Sequence, residues 1–391
     1  MVSPAHTTPV TKDIRAHGQS VWLDFIERDL ITSGRLQKMV RDGWITGVTS
    51  NPTIFARAIA GSPGYDGALR ELAASGVADP YEAFLGLAAA DIRAAADILK
   101  PVYLATAARD GYVSLEVPPQ LARDSAATIA EAVRLFERVG RPNVMIKVPG
   151  TPEGAAATQA LIAERINVNV TLLFGLAQYE RAAEAYLSGL EARLASGGSV
   201  ARVAGVASFF VSRVDTAVDA ALPAGSALLG TAAVANARIA YERFRELFAG
   251  DRWAALASAG AIVQRPLWAS TGTKNPAYSD VKYVEELIAS DTVNTMPEAT
   301  LMAMLDHGIV KPAGASAAAQ ARRDIQALAS AGVDLDAITL RLQEEGLRAF
   351  AEDFDGLLES IASRLGTADQ ELPTRAPRPK AARNDVEGGK S

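Results

Sequence analysis

The sequence predicts an α/β fold, a closed (β/α)8 barrel of the TIM type with additional C-terminal helices. Three observations carry this expectation. Eight short apolar runs rich in β-branched residues recur along the 391 residues. Most are separated by long alanine- and leucine-rich segments of helical period, the alternation of a parallel sheet covered by helices. No GxGxxG follows the first run to argue for an open doubly wound sheet.

In order, the runs are VWLDF (21–25), WITGVTSN (44–51), YVSLEV (112–117), NVMIKVP (143–149), NVNVTLLF (167–174), RVAGVASFFV (202–211), RPLWAST (265–271) and DTVNTMP (291–297). Helices are expected between them over 79–109, 123–139, 151–164, 176–195 and 231–249. Three more, over 298–306, 314–330 and 335–364, exceed what a barrel needs and are expected to pack across its outside or rim. The chain so divides into a flexible N-terminal segment, 1–18, one barrel domain with its extra helices, 19–370, and a disordered tail, 371–391. That tail, ELPTRAPRPKAARNDVEGGKS, is proline-rich, charged and poor in apolar residues.

A hydrophobic content of 49% with 21% charged residues is globular. A net charge of -6 gives no general field for nucleic acid or an anionic membrane, so any phosphate site must be local. The absence of cysteine excludes disulfides, thiolate metal sites and cysteine nucleophiles. Of the three histidines, His6 and His17 lie in the polar N-terminal segment and His307 at a helix end, which argues against a histidine metal cluster or a serine–histidine–aspartate triad. No metal or cofactor is expected. The start of the chain has no apolar signal region, and a cytoplasmic location is the expectation.

The runs carry polar residues that strands should not carry. Side chains alternate across a strand, so NVMIKVP puts Asn143, Met145 and Lys147 on one face and Val144, Ile146 and Val148 on the other. The β-branched set suits the layer against the helices. The first set is therefore expected to point into the barrel, with Lys147 near the C-terminal end of its strand, where barrel active sites sit. The same parity singles out Asp24, Asn51, Glu116, Asn169, Thr171, Ser208 and Ser270 in six other runs. A buried unpaired polar group costs about 1–3 kcal/mol, so polar groups brought by seven strands to one rim point to a site. Asn143 and Asn167 also read as plain structural hydrogen-bonding residues. Trp22 and Trp268 share the inward parity and read as barrel filling. PGTPEG reads as a strand-to-helix turn with Thr151 as N-cap.

With one lysine among carboxylates and neither cysteine nor a well-placed histidine, the accessible chemistry is amine catalysis. A desolvated lysine attacks a carbonyl and forms an iminium, whose nitrogen is an electron sink that lets the neighbouring C–C bond break without a metal. Asp24 and Glu116, on different strands, are the candidate proton carriers.

Five segments, GVTSNPTIF, VMIKVPGTPEG, INVNVTLLF, ASFFVSRVD and WASTGTKNP, resemble in order and spacing the signatures of the transaldolase family over roughly 21–297. The resemblance implies that Lys147 forms a Schiff base with a ketose donor and that Asp24 takes the proton from the donor's C4 hydroxyl. It implies that Glu116 and Thr171 hold a catalytic water, that Asn51 and Asn169 bind the dihydroxyacetone unit, and that Ser208 contacts a donor hydroxyl. Arg213, Ser270 and Lys274 match the phosphate contacts. Many members carry arginine where Lys274 stands; lysine keeps the charge but not the bidentate fork.

The implied reaction moves a dihydroxyacetone unit from sedoheptulose 7-phosphate to D-glyceraldehyde 3-phosphate, giving D-erythrose 4-phosphate and D-fructose 6-phosphate, as in the pentose phosphate pathway. Sugar phosphates are the implied partners, with no nucleic acid and no membrane; monomer and homodimer both stay open. The alternative is a class I fructose 6-phosphate aldolase on the same barrel. Such relatives are shorter and carry glutamine and tyrosine where this chain has Glu116 and Phe210, so both positions are of the transferase type.

Overall fold

Eight strands close in chain order. They are β1 (Gln19–Leu23), β2 (Gly47–Val48), β3 (Val113–Glu116), β4 (Val144–Pro149), β5 (Val168–Leu173), β6 (Gly205–Phe210), β7 (Arg265–Ala269) and β8 (Thr292–Met296). Each pairs in parallel with the next, and β8 pairs with β1. The computed structural model describes residues 9–312, 314 and 316–371. Each expected run overlaps one strand. Among the described residues no helix is long and apolar enough to cross a membrane.

Val144, Ile146 and Val148 are wholly buried, as their β-branched character requires. The covering helices begin where the sequence supplies caps: Asp79 accepts from the amides of Tyr81 and Glu82 ahead of Pro80–Ala105, and Asp124 accepts from Ala127 ahead of Ser125–Val139. Thr151 caps Pro152–Ala163 by accepting from the Gly154 amide at 2.9 Å. Gly154 has to be glycine, since a Cβ there would lie 1.9 Å from the Pro149 carbonyl oxygen.

The N-terminal segment departs from its expectation. Val10–Ala16 is a helix with Thr11 and Ile14 buried, and the Thr11 hydroxyl donates to the Gly43 carbonyl at 3.2 Å. Ile14, wholly buried, and Val10, half-buried against the core, dock it, and two apolar positions are too few to establish a period in the sequence. Residues 1–8, and the tail beyond Glu371 that was expected to be disordered, lie outside the described residues.

Among the described residues three helices follow β8: Glu298–His307, Ala317–Ser330 and Leu335–Glu371. The last crosses the rim at the C-terminal mouth. Gln343 donates to the Gly150 and Leu172 carbonyls past the end of β4 and in β5, Phe354 meets Phe84 edge-on at 5.3 Å, and Asp353 accepts from Thr53.

At the opposite end the barrel is filled. Trp22 is wholly buried, and a Cβ at Gly47 would fall 2.5 Å from its indole. Its Nε1 donates to Asp110 at 2.7 Å, and Arg265 reaches from β7 across the interior to donate to Ser20 on β1 at 2.6 Å. The filling role of Trp22 therefore holds.

Two parity readings do not hold. Arg265 faces inward and Ala269 lines the mouth, so Trp268, between Leu267 and Ala269, points out into the helix layer, where it donates to the Leu287 carbonyl at 3.1 Å and packs edge-on against Phe209. Asn143 sits one residue before β4 and also faces the helices, donating to Ala96 at 2.8 Å and Gly111 at 2.9 Å. It is structural, as is Asn167, which donates to Pro142 and Val144.

Candidate active site

The site starts from β4. Adjacent strands place Glu116, Lys147 and Asn169 side by side in register. Lys147 Nζ lies 3.2 Å from Glu116 Oε2 and donates to the Ser50 carbonyl at 3.1 Å. Only 5% of the lysine side chain and 3% of the glutamate side chain are exposed, so the pair sits below the solvent-facing rim. Asn169 is fixed by two bonds: it donates to Ser114 at 3.0 Å and accepts from Ser208 at 2.6 Å. Thr171 is fully buried on the same strand, and its hydroxyl, like Glu116 Oε1, makes no hydrogen bond among the described residues.

Asp24 follows β1, its amide still bonded to the Met296 carbonyl of β8 at 2.7 Å. Thr49 donates to its Oδ1 at 2.6 Å, and the Thr49 and Thr295 hydroxyls are 2.6 Å apart. Asn51 caps the helix Pro52–Gly61 by accepting from the Ile54 amide at 2.9 Å, which leaves its NH2 as the group for other partners.

A cavity of about 380 Å³ opens at this mouth, lined among others by Asp24, Asn51, Lys147, Ser208, Phe210, Arg213, Ser270 and Lys274. Glu116 and Asn169 lie beside it through the contacts just given, and Thr171 stands two residues after Asn169 toward the C-terminal end of β5. The structure thus gathers all eleven sequence-predicted site residues at one end of the barrel. A larger cavity, about 470 Å³, lies outside the barrel beside Trp268 and Arg238 and receives none of the polar strand-end residues, so size alone does not mark the chemistry.

Ser270 reaches the mouth by a route that alternation does not describe. Its backbone φ of +55° breaks the strand pattern, and its hydroxyl lies 3.0 Å from that of Ser212. Arg213 places its guanidinium over the Phe210 ring, 5.6 Å from the centroid, and makes no ion pair among the described residues. Lys274 is exposed at the rim, and so is Arg57, which the sequence reading missed.

Burial raises the pKa of Asp24 above the ordinary carboxylate range, opposed by the charge of Lys147 and the Thr49 hydrogen bond. Burial likewise raises that of Glu116, opposed by the charge and hydrogen bonding of Lys147, with Asp24 adding to the rise. Two carboxyl groups inclined to hold protons thus flank one amine. That is an arrangement for moving protons around a carbonyl addition.

Sequence reasoning also missed Thr49, Ser50 and Phe350. Thr49 shares the parity of Asn51 and was within reach. Ser50 acts through its backbone carbonyl, which leaves no side-chain signal, and Phe350 comes from the last helix, remote in sequence from the strands it faces.

Residues 21–361 match the family of transaldolases and fructose-6-phosphate aldolases. The chain belongs to this family. A transaldolase from Saccharopolyspora erythraea is 48% identical over 355 residues, covering 90% of this chain and 96% of its own length. One from a Parafrankia species is 49% identical over 362 residues, covering 91% and 98%. A protein named transaldolase 2 from a Nostoc species is 44% identical over 369 residues, covering 90% and 97%. The family is an enzyme family, and at this identity and coverage the chain is an enzyme of the transaldolase type, a transferase, with the aldolase reading second.

Proposed function

We propose that this mouth moves a dihydroxyacetone unit from sedoheptulose 7-phosphate to D-glyceraldehyde 3-phosphate, giving D-erythrose 4-phosphate and D-fructose 6-phosphate, through a Schiff base on Lys147. The observation that carries the reading is the buried Lys147–Glu116 pair, 3.2 Å apart at the strand ends, with Asp24 on the wall of the same cavity.

In this mechanism Glu116 accepts the ammonium proton and frees the amine to attack the donor's C2 carbonyl. The carbinolamine loses its oxygen as water when Glu116 returns that proton, with Thr171 and Glu116 holding the departing molecule between them. Asp24 takes the proton of the C4 hydroxyl; the C3–C4 electron pair flows to the iminium nitrogen, and the aldose product leaves. The enamine then adds to the carbonyl of the acceptor, Asp24 gives its proton to the new hydroxyl, and hydrolysis frees the lysine. Asn51, Asn169 and Ser208 hold the hydroxyls of the three-carbon unit.

Phe210 lines the cavity and no tyrosine does, among the described residues. A cavity wall without a phenol among the described residues offers the enamine carbon no tyrosine proton, which favours transfer over release. The phosphate falls to Arg213, Ser270 and Lys274. Removing the guanidinium in Arg213→Ala is expected to raise the donor KM by about 10–100-fold with a smaller change in kcat, the size of a lost charge-assisted contact; an unchanged KM removes Arg213 from that role. The proposed setting is the cytoplasm, with sugar phosphates as partners.

Borohydride reduction in the presence of fructose 6-phosphate, followed by peptide mapping, tests the whole scheme. The expected adduct is on Lys147. An adduct elsewhere, or none, overturns the amine mechanism, and steady release of dihydroxyacetone without an acceptor overturns transfer in favour of aldolase chemistry.

A further inference from the structure

We infer that Gln343, in the rim-crossing helix Leu335–Glu371, is a positioning residue that holds the ends of β4 and β5 and so keeps Lys147 and Thr171 in place at the mouth. The inference rests on the proposed amine mechanism. Gln343 is 3% exposed, and its Nε2 donates to two carbonyls at once, Gly150 at 3.2 Å and Leu172 at 2.9 Å. Gly150 is three residues past Lys147, and Leu172 directly follows Thr171. The two carbonyls belong to segments already joined by the Gly150 amide donating to Thr171 at 2.7 Å. One side chain thus ties together the backbones that carry the amine and the hydroxyl.

The tie falls where the backbone needs it. Leu172 has φ +58°, a conformation that a branched side chain adopts only when its surroundings impose it, and the pairing of β5 with β6 shifts register between Val170 and Leu173. The same helix holds the other side of this kink. Gly346, three residues after Gln343, lets the helix approach so closely that a Cβ there would lie 3.0 Å from Leu172 Cδ2. Gln343 therefore grips the main chain of the kink while the bare surface of Gly346 receives its side chain. Thr171 is the residue before that kink, so its hydroxyl position depends on the grip. A shift of about 1 Å in a positioned group can cost on the order of 100-fold in rate.

Gln343→Met keeps the bulk of the side chain and removes its donors. In the full-length chain, the rate of borohydride-trappable adduct formation with fructose 6-phosphate and the kcat for transfer are both expected to fall by about 10–100-fold, with the donor KM within about threefold of the parent. Leu357→Ala serves as the packing control: Leu357 is buried on the same helix, roughly 20 Å along its axis from Gln343, so the variant should melt earlier and keep its kcat. Gly346→Ala presses on Leu172 without removing a bond and favours the helix; it should slow adduct formation in the same direction, and it decides the matter if Gln343→Met does not fold. A parent-like adduct rate in Gln343→Met, or in Gly346→Ala where that variant decides, overturns the inference, as does a loss in Leu357→Ala equal to that in Gln343→Met. A parent chain that traps no adduct on Lys147 overturns the proposed reaction itself, a distinct result.

Discussion

Lys147→Met is expected to abolish transfer, lowering kcat/KM by about 10⁴-fold or more, as loss of a covalent nucleophile does. Among the described residues no second lysine is placed to replace it, because Lys274, on the same cavity wall, stands exposed at the rim while Lys147 lies buried 3.2 Å from Glu116. The same substitution strips Glu116 of its cation. Breaking a buried pair from one side costs about 3–5 kcal/mol if the remaining group keeps its charge. The carboxyl can escape part of that cost by taking a proton. Burial already raises its pKa and Lys147 opposes that rise, so the variant should hold the proton to still higher pH. The sign follows from linkage. A carboxyl whose folded pKa lies above its unfolded value contributes stability that is present below the ordinary carboxylate range, near pH 4.3, and is lost as pH rises through the folded value. Lys147→Met should therefore lose stability from mildly acidic pH upward. Lys147→Met/Glu116→Gln, which has no buried charge left at the pair, should recover most of it and show a flatter profile. Urea denaturation at pH 5, 6.5 and 8 measures this; a single variant as stable as the parent at pH 8 means the two groups are not energetically paired.

The barrel and the principal site were legible in the sequence because both rest on local rules. Eight apolar runs announced eight strands, and an ammonium in the middle of NVMIKVP had to face something polar. Alternation worked wherever a strand is regular, as at Glu116, Lys147, Asn169 and Ser208. It failed where the backbone leaves the extended region or the strand is bounded differently. Parity counted back from Ser270 put Trp268 inward, but Ser270 has φ +55° and arrives at the mouth by a turn, while Trp268 packs among the helices. Asn143 was drawn into the strand although it precedes it. Contacts made through backbone, such as the Ser50 carbonyl on Lys147, and those made from far along the chain, such as Phe350 and Gln343, carry no periodic signal at all. The docking of Val10–Ala16 through Val10 and Ile14 was hidden because two apolar side chains in a seven-residue helix do not establish a period.

Asp24→Asn is expected to separate the two halves of the mechanism and to strengthen the fold while doing so. Adduct formation on Lys147 should continue, since the amide neither removes the amine nor touches Glu116, whereas cleavage should slow by about 10²–10⁴-fold for want of a base at the C4 hydroxyl. Thr49 keeps an oxygen to donate to, so the 2.6 Å bond survives the exchange. Burial is the largest influence on Asp24 and raises its pKa, with Lys147 and Thr49 opposing. Below the ordinary aspartate range, near pH 3.9, both folded and unfolded parent chains hold the proton and asparagine brings no advantage. As pH rises through the folded value, the parent must either ionise a half-buried carboxyl or hold a proton that the unfolded chain has released, and it loses stability in both cases. The variant does not. Its advantage should open over that interval and level off at neutral pH at on the order of 1 kcal/mol, the size common for relieving a functional residue held at a cost. Thermal unfolding of parent and variant from pH 4 to 8 reads this directly. A variant less stable than the parent at pH 7.5 would show that attraction to Lys147 outweighs the burial of Asp24, and near-normal cleavage would take the C4 proton away from Asp24 and give it to another group on the cavity wall.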